Sequence, residues 1–201
     1  MLKKRNVHFI GIGGIGMSAI AEVLHSKGFK VTGSDIADNT IIKRLKKRGI
    51  KVFSKHTNQN IRNVDIVVYS SAVKFSNLEI KLAIKKKIPL YSRAMMLADV
   101  MRLKSSITVS GSHGKTTSTS LISCILEKAN FDPTIINGGI INGIGANAKL
   151  GNGEWIVAEA DESDGSFKML PSTIGVINNI DLEHLDYYKS LEEIKASFIK
   201  Y

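Results

Sequence analysis

Short apolar runs rich in valine and isoleucine alternate along the chain with longer segments whose apolar residues recur at helical spacing. A strand buried on both faces reads as a continuous apolar run, while a helix lying on a sheet carries a stripe of period 3.6. The alternation therefore predicts an α/β fold, a parallel sheet covered by helices. Strands are expected at Asn6 to Ile10, Lys30 to Gly33, Lys51 to Phe53 and Ile66 to Ser70, with helices near Met17 to Ser26, Thr40 to Arg48 and Asn77 to Lys86. A helix from Ala94 to Arg102 ends in the polar Lys104-Ser105-Ser106, and a fresh strand runs from Ile107 to Ser110. Two units, 1–104 and 105–201, are expected to meet there. The second continues with a helix from Lys115 to Ala129, strands at Thr134 to Ile136, Trp155 to Ala158 and Thr173 to Asn178, and a glycine-rich stretch from Gly138 to Gly153. Its last segment places Leu191, Ile194 and Phe198 on one helical face and reaches Tyr201 with no stop signal. So few strands are expected to leave a sheet edge and an apolar face uncovered, so the chain reads as cut short.

Composition narrows the classes of function. With 201 residues, 43% of them hydrophobic, the chain can bury one large core or two modest ones. No apolar run nears the roughly 18 residues of a membrane span. The start, Met1-Leu2-Lys3-Lys4-Arg5, leads into a strand rather than a signal-peptide core, so a cytoplasmic location and no membrane partner are expected. The net charge of +10 raises the question of a nucleic-acid partner. Its distribution argues against one. Lys43, Arg44, Lys46, Lys47 and Arg48 surround Ile41, Ile42 and Leu45, and Lys81, Lys85, Lys86 and Lys87 surround Ile80, Leu82 and Ile84. These are solvated faces of amphipathic helices, without interleaved aromatic residues to stack bases. The single cysteine, Cys124, falls among Leu121, Ile122, Ile125 and Leu126, which suits a packing role in a reducing compartment.

Four segments carry chemistry. Gly11-Ile12-Gly13-Gly14-Ile15-Gly16 sits between a strand and a helix, with Asp35 at the end of the next strand. That is the Rossmann-like fingerprint for a diphosphate at a helix amino terminus, and NAD, FAD or a UDP-sugar would all satisfy it. Gly111-Ser112-His113-Gly114-Lys115-Thr116-Thr117 has the working end of a phosphate loop, with Val109 where a further glycine is usual. Gly114 allows the tight turn, Lys115 can reach the β and γ phosphates of ATP, and the Thr116 hydroxyl can ligate Mg²⁺. Glu159, Asp161, Glu162 and Asp164 follow an apolar strand. Glu159 stands nearest its end, where Mg²⁺ would be held, and the other three fit a solvated loop as well as a metal site. His184, flanked by Asp181, Glu183 and Asp186 after another apolar strand, fits a structural histidine as well as a metal ligand.

Taken in order, GIGGIGMS, GSD, SSAV, SRAMMLAD, GSHGKTT, EADESD and NNIDLEHLDYY resemble the Mur ligases over essentially the whole chain. The resemblance implies a Rossmann-like domain followed by an incomplete P-loop-type α/β ATP-binding domain. The first loop would then hold the UDP of UDP-N-acetylmuramate, and no nicotinamide. Lys115 would bind the ATP phosphates within the loop Gly111 to Thr117, Thr116 and Glu159 would hold one Mg²⁺, and His184 a second. Ser70, Ser71 and Arg93 would lie near the sugar nucleotide. The implied reaction is ATP-dependent ligation of L-alanine to the muramate carboxylate through an acyl phosphate, in peptidoglycan synthesis. A third domain of the family is not in this sequence, so the chain alone is expected not to turn over. Met95 stands where the family has Glu, and Ser112 where it has Thr. The rival readings are an NAD-dependent oxidoreductase, which leaves the Lys115 loop unexplained, and a non-catalytic nucleotide-binding fragment.

Overall fold

The structure is a computed structural model that describes residues 5–141, 146–163 and 165–201, and the side chains of these apart from 138–141 and 146–147. The chain divides into two compact units, Met1–Met96 and Leu97–Tyr201.

The first unit runs β1 (Asn6–Ile10), α1 (Ile15–Ser26), β2 (Lys30–Ser34), α2 (Thr40–Lys47), β3 (Lys51–Phe53), β4 (Ile66–Tyr69), α3 (Leu78–Lys85) and β5 (Leu90–Ser92), and α4 (Arg93–Met101) starts within it. Its sheet is parallel throughout, in the order β3-β2-β1-β4-β5. The strands fall where the apolar runs place them because Val7, Phe9, Ile10, Ile66, Val67 and Val68 are all buried. β5 was not expected: Leu90-Tyr91-Ser92 follows Pro89 and leads straight into α4, and it is pairing with β4, Val67 opposite Leu90, that makes it a strand. Asn39 and Asn77 cap α2 and α3, their side chains accepting from Ile42 N at 2.9 Å and Glu79 N at 2.8 Å. Ile42 and Leu45 of α2 face the core, and among its basic residues Arg44 turns back to donate to the buried Glu22 at 2.9 Å. The chain leaves β1 toward β2 on one side and later takes up β4 on the other. A crevice at the carboxyl ends of β1 and β4 results.

The second unit runs β6 (Ser105–Ser110), α5 (Lys115–Lys128), β7 (Thr134–Ile141), β8 (Ala146–Lys149), β9 (Trp155–Glu159), β10 (Ile174–Ile177) and α6 (Leu191–Ile199), with sheet order β10-β6-β9-β7-β8. β8 adds a strand to those expected. It pairs antiparallel to β7 inside the glycine-rich stretch, whose composition hides a strand. One expectation is corrected. Cys124 is exposed rather than packed, on a face of α5 where Leu121 and Ile125 are also exposed. Ser190 caps the start of α6, accepting from Glu193 N at 3.2 Å. Phe198 anchors α6 against Phe167, ring centroids 5.1 Å apart. On the edge strand β10, Ile174 and Ile177 are exposed.

Candidate functional sites

In the first unit the chain turns sharply after β1 at Gly11, whose φ is +81° and where a Cβ would lie 3.0 Å from Ser70 Cβ. Only glycine suits that turn. The loop amides are largely spent within the fold. Gly11 N and Ile12 N donate to Ser34 O, and Gly14 N donates to Gly11 O. Gly13 N donates to Asp35 Oδ2 at 2.7 Å, and Ala37 N to Asp35 Oδ1 at 2.9 Å. Asp35 therefore braces the glycine loop while also lining the cavity beside it. The donors left for an anion are the first-turn amides of α1 at Ile15, Gly16 and Met17, which have no intrahelical acceptor. Arg93 lies on the same turn, since a Cβ at Gly16 would stand 3.1 Å from Arg93 Nη1. Beside the loop opens a cavity of about 550 Å³ lined by Gly11, Gly14, Asp35, His56, Ser70 and Val73 among others. Ser70 thus reaches the cavity, whereas Ser71 is exposed in the turn after β4 and is not part of the lining.

Glu79, fully buried, sits behind His56. Its Oε2 accepts from Ser34 Oγ at 2.6 Å, and its Oε1 from Asn60 Nδ2 at 2.6 Å and Thr57 N at 3.2 Å. His56 Nδ1 stands 3.2 Å and His8 Nε2 3.6 Å from Oε2. Burial pushes this carboxyl up. The contacts from His8, Ser34 and Asn60, with the His8 charge, outweigh burial and hold its pKa at about 2.

In the second unit β6 ends at Ser110 and the chain enters α5 through Gly114, whose φ of +77° makes it a left-handed cap. The front of this loop is pinned to the segment after β10. His113 N donates to Asn179 Oδ1 at 2.8 Å, and Asn178 and Asn179 both donate to His113 O at 3.2 Å. Asp181 N donates to Ser112 Oγ at 2.9 Å. The amide of His113 is thereby occupied, and the anion-facing donors are those of Lys115, Thr116 and Thr117 in the first turn of α5. Lys115 Nζ donates to Gly111 O at 2.7 Å and pairs with Glu162 Oε1 at 2.8 Å. Thr116 Oγ1 donates to Glu159 Oε1 at 2.5 Å. His184, held at φ +56°, brings Nε2 to 3.3 Å from Glu162 Oε1. Loop, acid and histidine therefore converge at the carboxyl ends of β6, β9 and β10.

Residues 6–105 match the model for the catalytic domain of the Mur ligase family, and residues 109–200 match that for the Mur ligase middle domain. The chain belongs to the Mur ligase family. Among its relatives, the UDP-N-acetylmuramate–L-alanine ligase of Rickettsia bellii is 56% identical over 98% of this chain and 42% of its own length. That of Xanthobacter autotrophicus is 52% identical over 96% of this chain and 41% of its own length. The crystal structure of the UDP-N-acetylmuramate–alanine ligase from Thermotoga maritima superposes with a TM-score of 0.87 at 34% identity, covering 98% of this chain and 46% of that one. The chain thus spans less than half the length of these Mur ligase relatives.

Two residues stand out that sequence reasoning did not single out. Glu162 reads in the sequence as one acid among four, yet it is the one buried beneath the phosphate loop, 1% exposed, joining Lys115 to His184. Asp161 is exposed, and Asp164 lies outside the described residues. Glu79 reads as an ordinary acid in the first turn of α3. A signal was present in part: a lone acid within an otherwise apolar and basic helix, in phase with the buried Ile80 and Ala83.

Proposed function

We propose that this chain carries the UDP-sugar site and the ATP site of a ligase that joins L-alanine to the carboxylate of UDP-N-acetylmuramate. The observation that carries the reading is the group at the head of α5, where Lys115, Thr116, Glu159 and Glu162 meet below a row of free first-turn amides. Charged phosphates fit there because first-turn amides and an ammonium lie at the same helix end.

Mg²⁺ fits the oxygen pair Thr116 Oγ1 and Glu159 Oε1, which already touch. Among the described residues no three His, Cys, Asp or Glu side chains cluster as a metal cage. That suits Mg²⁺, which takes one or two protein oxygens and completes its shell with water and phosphate. When bound, the ion offsets charge on the transferring phosphoryl group. Lys115 would hold the β and γ phosphates, and the amides of Thr116 and Thr117 would orient them. His184 would support a second ion, at the expense of its contact with Glu162. In the first unit the amides of Ile15, Gly16 and Met17, with Arg93, would hold the diphosphate of the sugar nucleotide. The muramate carboxylate then attacks the γ-phosphorus, ADP leaves, and the amine of L-alanine displaces phosphate from the acyl phosphate.

Calorimetric titration tests the reading. One site each for MgATP and for UDP-N-acetylmuramate is expected, with no NADH binding. Saturable NADH binding without UDP-N-acetylmuramate binding would return the first unit to the oxidoreductase reading.

A further inference from the structure

The proton count around Glu79 fixes which nitrogen bears the hydrogen in the neutral ring of His56, a side chain that faces the first cavity. Ser34 has one hydroxyl proton, and it goes to Glu79 Oε2 at 2.6 Å. Ser34 Oγ is also 2.9 Å from His56 Nδ1, and with its proton spent it can only accept there. Glu79 Oε2, 3.2 Å from the same Nδ1, can only accept as well. Both neighbours therefore require the hydrogen of the imidazole on Nδ1. A neutral ring has one N–H, so its Nε2 carries a lone pair. His56 lines the cavity that begins at the glycine loop, and Nδ1 is turned inward to Ser34 and Glu79, so Nε2 is the ring nitrogen left to a ligand. The cage does not let the ring flip its tautomer cheaply. Glu79 is tied at the same time to Asn60, Thr57 N and Ser34, three donors from two separate segments.

We propose that Glu79 is a positioning residue that, with Ser34, holds His56 in its Nδ1–H tautomer, so that the cavity presents an acceptor selecting a base with a ring imide N–H. Uracil carries that group at N3, whereas cytosine carries a lone pair there, and two facing lone pairs repel. The inference rests on the UDP-sugar reading of the same cavity and adds the device that would choose the base. A site built to accept from a ligand N–H rejects the analogue that lacks it far more strongly than an apolar pocket rejects a change in size.

Three measurements on the whole chain decide it. Titrations of the parent with UDP and CDP are expected to show UDP at least 10-fold tighter. His56→Ala should weaken UDP until it binds within about 2-fold of CDP, leaving CDP unchanged. Long-range ¹H–¹⁵N spectra of the parent should show the His56 proton on Nδ1, and Glu79→Gln, whose amide can donate, should move it to Nε2. Ser34→Ala serves if Glu79→Gln does not fold, as judged by its melting curve, and should narrow the UDP:CDP ratio. Equal affinities for UDP and CDP in the parent, an unchanged ratio in His56→Ala, or a parent proton on Nε2 each overturn the proposal while leaving diphosphate binding in place. Binding of neither UDP nor CDP would instead remove the UDP-sugar reading itself.

Discussion

Each unit buries a carboxylate beside the site proposed for its ligand, and the two are held by different kinds of partner. Glu79 is enclosed by Ser34, Asn60, a backbone amide and two histidines, all of them fixed parts of the first unit. Glu162 is held by the ammonium of Lys115 and by His184, both partly exposed and both candidates to turn toward phosphate or metal. Groups anchored in a fold shape a cavity and stay in place when it fills. A mobile cation shared between a carboxylate and a loop can be handed to an arriving anion. The first site is thus preassembled for a shape and a hydrogen-bond pattern, and the second for charge.

The contrast can be broken or sharpened by substitution and by acid. The largest effect is expected for Glu79→Ala, which strands His8 and Asn60 in the interior: a loss of about 4 kcal/mol in stability of the first unit, read by urea unfolding. An acid titration of the parent comes next. The folded carboxyl titrates near 2 and the unfolded one near 4.5, so its stabilisation is complete above pH 4.5 and fades as pH falls toward 2. The first unit should lose about 3 kcal/mol across that window, and Glu79→Gln should flatten the slope. For Glu162→Gln, where Lys115 keeps its bond to Gly111 O, a smaller loss of about 2 kcal/mol in the second unit is expected from the same unfolding curves. Least of all, Leu121→Ala on the exposed face of α5 should shift stability by under about 0.5 kcal/mol, whereas Leu45→Ala, in the closed core of the first unit, should cost about 3 kcal/mol.

The sequence carried the strands of both sheets that lie in continuous apolar runs, because burial on two faces writes itself into composition. It did not carry β5 or β8. β5 is wedged between Pro89 and the start of α4, and a strand among glycines has no apolar signature, so pairing is what reveals both. The two glycine loops were legible because a φ near +80° at Gly11 and Gly114 demands the residue that stands there. The partners that complete each loop were less so. Asp35 was visible as an acid at a strand end, yet its bracing of Gly13 N depends on how β2 and the loop approach each other. Glu162 could not be told from Asp161 by spacing, since one residue's difference in a loop decides which carboxylate turns inward.

The central claim is that the head of α5 grips a nucleoside triphosphate through Lys115. Calorimetric titration of MgATP into the parent and into Lys115→Ala, with UDP-N-acetylmuramate titrated into both as an internal standard, tests it most directly. The expected result is a loss of about 100-fold in MgATP affinity, close to 2.7 kcal/mol, with UDP-sugar affinity unchanged. Equal MgATP affinity in the two proteins would contradict it.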